Sequence, residues 1–577
     1  MTRRRLIPVL AVAVLLLAAC TGVPKSSSPQ VVTAVGVAEP SAPPAIAPQL
    51  NADPRTMVLD FLSANAIVEE NHANSRDFLT SDAKNRWSDI TVRVVDTLQV
   101  ENFTNGSVTV RGRDLGKVSA SGIYTPVLQG DGSGGVSVAF AFGMKKVKGQ
   151  WRINTLESGL ILSYAEFQRI YQQHNIYFYD PTEKHLVPDP RYSSLTDRSL
   201  LANWLVGQLA TGPRPELQNA VRTELPAHAD PRRVPVILGS PATVELPGAS
   251  QLDAGTRSRL AGQLALTLDQ VSPGTVMSIL DGGRPVTVSQ AGATQFTADG
   301  FSSAVNPANT SPALFYIRSG AVVDEQGKPL HGKLGTGQDA LTSVALASKP
   351  GSEDLLAAGT SGPATNARLL VGTERTGLHP TTLHGQLSRP AWAPNLDEVW
   401  VGDGSQVYRV TRGGKPGAVP VAGAGALAGR VSALRFSPEG SRVAVVLTAS
   451  AGGSAQVWVG SVVRTPAQAQ VRVDSLEPIS PQGIAVTDVA WNDQLKLFTI
   501  GRVLSSRSTN VYEVQVDGSL WTPRSTENLP GVPDSITVAE NVPAWVSVDG
   551  TVWAQSGGSW AGPVTDPTFG TNPTYLE

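Results

Sequence analysis

Cysteine is nearly absent from this sequence, and charge is scarce. The 577 residues include one cysteine, so no disulfide can form within the chain and packing must hold the fold together. Charged residues make up 16% of the chain, whereas soluble proteins typically have about 25%. The 46 Lys and Arg residues do not outnumber the 48 Asp and Glu residues. Without a basic excess to neutralise phosphates, the sequence predicts no nucleic-acid partner.

Long apolar runs are missing too, except for one at the start of the chain. Three arginines at positions 3–5 precede residues 6–19, which carry no charge. A basic head, an apolar middle and small residues before a cut site form a secretory signal peptide. The run is shorter than the ~20 apolar residues that a bilayer-spanning helix needs.

The single cysteine, Cys20, stands at the end of this run. Residues 17–20 (LAAC) resemble the bacterial lipobox, whose cysteine receives a diacylglyceryl group and becomes the mature N-terminus. The alternative is an ordinary signal peptide with an incidental cysteine, but a chain that avoids cysteine everywhere else argues against it. We therefore predict a lipoprotein signal peptide over residues 1–19 and lipidation at Cys20. The predicted location is the extracytoplasmic face of the cell membrane, where the lipid anchors the protein.

Residues 20–52 are rich in Pro, Ala and Ser and contain just one Lys and one Glu. Such a composition cannot bury a core, so the segment predicts an extended tether. The alternative is that the segment folds onto the domain that follows it.

Residues 53–172 predict a first α+β domain. Asp53 and Pro54 form a helix start, and residues 163–166 (SYAE) have the capping-box spacing of another. From Val92 onward the apolar period changes to two, which indicates strands. Helices followed by a curved antiparallel sheet suggest an NTF2-like fold, by analogy of element order.

A second α+β domain is predicted over residues 173–292, before a linker at 293–312. Its first helix should turn an apolar stripe inward, formed by Leu200, Leu201, Trp204, Leu205 and Leu209. The domain resembles the GerMN module of spore-germination proteins and envelope lipoproteins in the segments 177–179 (YFY), 186–188 (LVP), 209–213 (LATGP), 263–268 (QLALTL) and 276–283 (VMSILDGG). That resemblance implies an interaction domain and brings no catalytic residues.

Residues 313–577 repeat a strand pattern. Aromatic or apolar residues at matching positions (346, 392, 436, 491 and 538) lie 46, 44, 55 and 47 residues apart. Strands at a period near 45 are typical of β-propeller blades, and the sequence predicts five or six of them. Residues 314–323 lack partners of their own, so we expect the C-terminal residues to complete that blade and close the ring. The alternative is an irregular β-sandwich.

Motifs of known catalytic sites are absent. The sequence has no zinc-type His-Glu-x-x-His, no phosphate-binding Gly-rich loop and no Gly-x-Ser-x-Gly elbow. Ser81 and Lys84 have the Ser-x-x-Lys spacing without its companion motifs, and His379 and His384 fit ordinary loop histidines better than metal ligands. We predict that the protein is not an enzyme and has no cofactor or metal site.

Two further groups of residues have a structural and a functional interpretation. Residues 517–518 and 549–550 (Asp-Gly) fit hairpin turns, because the spaced carboxylates of a calcium loop do not follow them. Six tryptophans could form a sugar-stacking platform, but their strand positions favour the propeller core: Trp392, Trp400, Trp458, Trp491, Trp545 and Trp553.

The order of parts resembles the actinobacterial LpqB lipoprotein family over essentially the whole chain. Besides the lipobox, the segments 26–30 (SSSPQ), 140–147 (FAFGMKKV) and 149–153 (GQWRI) carry this resemblance. It implies a regulator of MtrAB-type two-component signalling, which contacts the extracytoplasmic part of the MtrB sensor histidine kinase and affects cell division and envelope homeostasis. The family brings no catalytic residues.

Which domain makes that contact is a separate question. We hypothesise that the two α+β domains contact the kinase and that the propeller binds a second partner. The main alternative is a cell-wall protein whose propeller binds peptidoglycan or a glycan without any kinase. A propeller hydrolase or lyase is a third possibility, and it would need clustered His and carboxylate residues in a deep central pocket.

Overall fold

Three sheet systems follow one another in the chain, and each is built from the segment that its apolar periodicity predicts. The computed structural model describes residues 46–577 except 128–134, 228, 231–233, 290, 306–311, 349–351, 395–396, 412–414, 423–428, 450–452, 466–469, 482 and 563–568. Over this part of the chain the predicted order of two α+β domains and a propeller is confirmed.

The first domain wraps a sheet around one long helix. Its elements are α1 (Pro54–Asn65), α2 (Ala73–Asp77), α3 (Ser81–Arg86), β1 (Val92–Val100), β2 (Ser107–Val118), β3 (Tyr124–Pro126), β4 (Val136–Val147), β5 (Gln150–Thr155), β6 (Leu160–Ser163) and α4 (Tyr164–Ile170). The strands run β5-β4-β2-β1-β6, with β3 beside β2 and β6 parallel to β1. Phe61 of α1 packs edge-on against three rings of the core at 5.7–6.4 Å: Phe78, Trp87 and Phe142.

Both predicted helix starts in this domain are present. The Asp53 carboxylate accepts the backbone N–H of Thr56 at 3.1 Å, which satisfies a donor that the first turn leaves free. Ser163 and Glu166 form a full capping box on α4.

The end of the predicted tether belongs to the first domain. Ile46 packs against the core, and the backbone N–H of Asn51 donates to Gln150 at 2.7 Å. The boundary at residue 52 is therefore too late, because residues such as Ile46 and Asn51 find partners that composition cannot reveal. The rest of the tether and the signal peptide lie outside the described residues.

The second domain combines a hairpin, two helices and a small sheet. Its elements are β7 (Gln172–Tyr179), β8 (Leu186–Ser193), α5 (Arg198–Thr211), β9 (Val236–Ile237), β10 (Ala242–Glu245), α6 (Ala254–Asp269), β11 (Met277–Asp281), β12 (Arg284–Pro285) and α7 (Ser302–Val305). The sheet order is β12-β11-β10-β9, with β10 parallel to β11. Both long helices bury apolar faces in one core with the β7–β8 hairpin.

Two predictions for this domain need correction. Leu200 is 59% exposed, because Leu201, Leu205 and Leu209 define the inward face of α5 and position 200 lies about 100° away from it around the helix. The predicted linker is also partly structured. Phe296 pairs with Met277, and Phe296 and Ala298 are buried in the domain core.

The propeller consists of six sheets over the described residues, within the predicted five or six. The blades are blade 1 (β14-β13-β35), blade 2 (β15–β18), blade 3 (β19–β22), blade 4 (β23–β26), blade 5 (β27–β30) and blade 6 (β31–β34). The strands of blades 1 to 3 are β13 (Leu314–Arg318), β14 (Ala321–Asp324), β35 (Thr571–Tyr575), β15 (Leu341–Ser348), β16 (Leu355–Ser361), β17 (Ala367–Thr373), β18 (Gly377–Gly385), β19 (Ala391–Trp392), β20 (Glu398–Asp403), β21 (Gln406–Thr411) and β22 (Gly417–Ala418). The strands of blades 4 to 6 are β23 (Gly429–Phe436), β24 (Arg442–Ala449), β25 (Ala455–Arg464), β26 (Val471–Pro478), β27 (Ile484–Trp491), β28 (Lys496–Val503), β29 (Thr509–Gln515), β30 (Trp521–Arg524), β31 (Ser535–Thr537), β32 (Trp545–Val548), β33 (Thr551–Ser556) and β34 (Ser559–Ala561).

The ring closes as predicted, with the C-terminal strand completing the first blade. Leu314 of β13 pairs with Tyr575 of β35, and β35 lies between the inner strands β31 and β15. The first and last strands of the propeller therefore share one sheet, in which β13 is paired on both sides, by β14 and by β35.

Candidate functional site

The predicted tryptophans belong to the propeller core. Trp392 and Trp400 are at most 1% exposed, Trp491 and Trp545 are buried, and the other two are partly buried against the blade cores. Trp392 Nε1 donates to the backbone oxygen of Ala345 at 3.1 Å, and Trp491 Nε1 to that of Arg435 at 3.0 Å. Each of these bonds ties a blade to the inner strand of the preceding one, so the rings are unavailable for stacking on a sugar.

The other candidates of the sequence do not assemble into a catalytic site. Lys84 does not act as a partner of Ser81, because its Nζ forms an ion pair with Asp77 at 2.9 Å. His379 and His384 lie on strand β18, not in a loop, and His384 Nδ1 contacts Asn366 Oδ1 at 3.2 Å. No group of three or more His, Cys, Asp or Glu residues among the described residues could hold a metal ion. Cys20 lies outside the described residues.

What the sequence did not reveal is a buried polar junction where both α+β domains meet the propeller. We define the junction by eight residues: Tyr124, Asp189, Arg191, Tyr192, Arg214, Glu439, Arg442 and Ser519. Its centre is strand β8. All residues of this strand, Leu186–Ser193, are buried, although Asp189 and Arg191 are charged. A signal existed, because the segment 189–191 (Asp-Pro-Arg) places two charges inside an otherwise apolar strand.

Opposite charges at the junction are paired at short distance. Asp189 is fully buried and Arg191 is 2% exposed, and Arg191 Nη1 lies 2.5 Å from Asp189 Oδ1. The second oxygen of Asp189 accepts the backbone N–H of Arg214 at 2.8 Å. Burial lowers the pKa of Arg191, and the Asp189 carboxylate opposes that shift. Such a pair is held only where each charge has a partner, because an isolated buried charge is costly.

Each domain contributes bonds across the junction. Arg214 Nη2 donates to the backbone oxygen of Tyr124 in the first domain at 3.1 Å. Arg442 Nη2 of the propeller donates to the backbone oxygen of Pro188 at 2.6 Å, and its Nη1 lies 3.5 Å from Glu439 Oε1. Burial raises the pKa of Glu439, and Arg442 and Ser437 oppose this. The bonds of Arg214 to Tyr124 and of Arg442 to Pro188 join positions that are 90 and 254 residues apart in sequence.

The hairpin turn at residues 517–518, predicted as a turn only, also reaches this junction. Tyr192 Oη and Ser519 Oγ share a hydrogen bond of 2.6 Å between the second domain and the propeller. Burial and the Asp517 carboxylate raise the pKa of Tyr192 well above its usual value. Gly518 has φ of +73°, and a Cβ there would lie 3.2 Å from Pro126 Cγ of the first domain. The turn therefore contacts both α+β domains.

One open groove lies on the first domain. It has a volume of about 450 Å³ and is lined by Arg55, Leu59, Leu62, Ser63, Leu98, Gln99, Val100, Ser163 and Glu166. Its floor forms where β1 bulges: the register to β2 shifts between Asp96 and Gln99, and Thr97 takes φ of +53°. Arg55 Nε donates to the backbone oxygen of Val100 at 3.1 Å, which ties α1 to this strand.

No helix among the described residues is both long enough and apolar enough to cross a membrane. Buried hydrogen bonds, such as those of Arg442 to Pro188 and of Tyr192 to Ser519, join the α+β part to the propeller, so the described residues form a modular protein of three parts.

Three family models match the three parts of the chain. The "Lipoprotein LpqB, N-terminal domain" covers residues 47–168, "Sporulation and spore germination" covers 175–287, and the "Lipoprotein LpqB beta-propeller domain" covers 318–575. The chain is 32% identical to Lipoprotein LpqB of Mycolicibacterium smegmatis, over 77% of this chain and 78% of that protein. It is 29% identical to Lipoprotein LpqB of Nocardia farcinica, over 92% and 90% of the two chains. The chain therefore belongs to the LpqB family of lipoproteins, proteins held at a membrane by a lipid.

Proposed function

We propose that this lipoprotein is an extracytoplasmic adaptor, not an enzyme, which binds the extracytoplasmic part of an MtrB-type sensor histidine kinase and modulates its signalling. Lipidation at Cys20 would hold it at the outer face of the cell membrane, where the kinase exposes its sensor. Cell division and envelope homeostasis are the processes that such signalling would affect.

The groove of the first domain is the observation that carries this proposal. It lies on the domain that directly follows the tether in the chain, and Leu59 on its rim is 36% exposed. Apolar side chains flank it together with Arg55 and Glu166, a mixture that suits a protein partner. Confinement of both proteins to one membrane face raises their effective concentration, so a weak contact can suffice.

The bonds at the junction explain how binding at the groove would affect the kinase. Because hydrogen bonds such as those of Arg214 to Tyr124 and of Arg442 to Pro188 join the second domain to the first domain and to the propeller, a partner bound at the groove meets one connected body rather than a loose domain. A kinase with two conformations shifts toward the one that this body binds more tightly. Deletion of the propeller would unpair Glu216, Pro188 and Tyr192, so point variants are a cleaner test than truncation.

The test is capture of the purified sensor domain of the kinase by the full-length lipoprotein in detergent micelles. Leu59→Arg should weaken capture at least tenfold, because it places a charge on the groove rim. Leu504→Arg is the matched control, since Leu504 is 43% exposed, belongs to the propeller and does not line the groove.

Equal capture by wild type and Leu59→Arg would contradict the groove as the contact site. If none of the proteins captures the kinase, and all of them sediment with purified peptidoglycan, the cell-wall alternative replaces the kinase proposal.

A further inference from the structure

The inner strands of the propeller bring four charged side chains to the central channel. Arg389 lies two residues before β19, Arg435 lies on β23, Asp488 on β27, and Glu577 lies two residues after β35. These are the inner strands of blades 3, 4, 5 and 1. The charge of each arginine acts on other members of this set, although they come from different blades. Hydrogen bonds of Arg389 to Pro573 and of Glu577 to Trp392 also pass from one blade to another, which places these two side chains at the inner ends of the sheets, beside the channel.

Arg389 contacts a blade that is not adjacent to its own. Its Nη2 donates to the backbone oxygen of Pro573 in β35 at 2.7 Å, past the inner strand of blade 2, which lies between the two. Glu577 makes a similar contact in the other direction, since its Oε2 accepts the backbone N–H of Trp392 at 2.6 Å. Glu577 is exposed, which fits a side chain in an open channel.

Some N–H donors of both arginines have no hydrogen-bond partner among the described residues. Nε and Nη1 of Arg389 and Nη2 of Arg435 are buried and make no hydrogen bond within the described residues. Among the same residues, no carboxylate oxygen lies within 4.0 Å of either guanidinium, although Arg435 is only 6% exposed. Buried guanidiniums without a counter-charge are rare, because the loss of hydration is not repaid.

The two carboxylates of the set are engaged elsewhere. Asp488 accepts the backbone N–H groups of Val489 at 2.9 Å and of Ile536 at 3.0 Å, one with each oxygen. Glu577 is held by the N–H of Trp392. Burial lowers the pKa of Arg389 to about 9, and the nearby charge of Arg435 acts in the same direction. The channel is therefore short of negative charge at the two arginines.

We propose that the propeller channel binds a small oxyanion, a carboxylate or phosphate group, between Arg389 and Arg435. Guanidinium N–H donors and oxyanions form short charge-assisted hydrogen bonds, and three free donors can serve one such group. The site goes beyond the kinase contact, which lies on the first domain. Either can fail without the other.

The test is calorimetric titration of the full-length lipoprotein in detergent micelles, with inorganic phosphate and with acetate in separate runs. Sodium chloride keeps the ionic strength constant. Wild type should bind at least one of the two anions with a saturable signal, and comparison of the two runs distinguishes a phosphate from a carboxylate ligand. Arg389→Gln and Arg435→Gln should each weaken this binding at least tenfold.

Two further variants separate binding from folding. Arg430→Gln is the matched control, because Arg430 is exposed on the same strand as Arg435 and should leave binding unchanged. Glu577→Gln removes one competing negative charge and should tighten binding several-fold, an effect that a misfolded channel could not produce. Absence of saturable binding of both anions by folded wild type would overturn the proposal, as would equal affinities of wild type and Arg389→Gln.

Discussion

The junction and the channel both contain buried arginines, but these arginines differ in whether a carboxylate lies beside them. At the junction Arg191, Arg214 and Arg442 each have a carboxylate oxygen within 3.5 Å. In the channel Arg389 and Arg435 have no carboxylate within 4.0 Å among the described residues. A buried arginine with a carboxylate beside it already has its counter-charge, whereas a buried arginine without one is suited to bind an anionic ligand.

The largest loss of stability is expected from the replacement of one junction arginine. Arg442→Met leaves the Glu439 carboxylate buried without its partner and removes the bond to the Pro188 carbonyl, so we expect a loss of about 3–5 kcal/mol in the free energy of unfolding. Denaturant titration followed by tryptophan fluorescence measures it. Arg430→Met, on an exposed side chain of the same blade, should change the midpoint little. Equal midpoints of the two variants would show that the junction pairs contribute no stability.

A backbone position at the junction gives the next largest effect. Gly518→Ala places a Cβ 2.9 Å from the oxygen of Ile479 and 3.2 Å from Pro126, at φ of +73°, and should cost about 1–3 kcal/mol. Gly550→Ala is the matched control, because Gly550 has φ of +77° and a Cβ there would have no other atom within 4 Å. Thermal unfolding should therefore rank Gly518→Ala below Gly550→Ala. The reverse order would mean that the turn does not press against the first domain.

The pH dependence of stability tests the role of Tyr192 at the junction. Tyr192→Phe removes the hydrogen bond to Ser519 and should cost about 1 kcal/mol at neutral pH. Burial raises the pKa of Tyr192 well above the value of 10.0 that an unfolded tyrosine has. The folded state therefore favours the neutral phenol, and this stability is present below pH 10 and is lost as pH rises through the folded pKa. Denaturant midpoints measured from pH 8 to 11 should fall less steeply for Tyr192→Phe than for wild type; parallel curves would contradict this.

The smallest change in the free energy of unfolding is expected from replacing a channel arginine with methionine, the same replacement that costs most at the junction. Arg389→Met removes a buried charge that has no carboxylate partner and loses one bond to Pro573, so stability should change by no more than about 1 kcal/mol in either direction. Denaturant titration in chloride buffer, beside Arg442→Met, makes the comparison direct. A loss as large as that of Arg442→Met would show that Arg389 is a structural residue.

Local signals in the sequence predicted the local structure well. Asp53 and the pair Ser163 and Glu166 start helices because a side chain that satisfies free N–H groups acts over three residues. The blades followed from aromatic or apolar residues that recur about every 45 positions, such as Trp392 and Phe436, and ring closure followed from an incomplete first blade.

Contacts between distant segments could not be predicted in the same way. The partner of Arg442 is a carbonyl 254 positions away, and Arg389 meets a carbonyl 184 positions away. Nothing in the apolar periodicity of either segment encodes such a partner, because the contact depends on how whole domains pack. Leu200 shows the same limit on a smaller scale, since its exposure depends on which face of α5 the neighbouring core selects.

Closure of the ring by β35 has a consequence for the order in which the propeller assembles. β13 is synthesised long before β35, yet the two must pair to complete blade 1. The first blade therefore waits with an open edge while most of the propeller is still being made, and such long-range pairing is slow to form. The molecule is thus most exposed to unwanted strand pairing in the interval before β35 arrives.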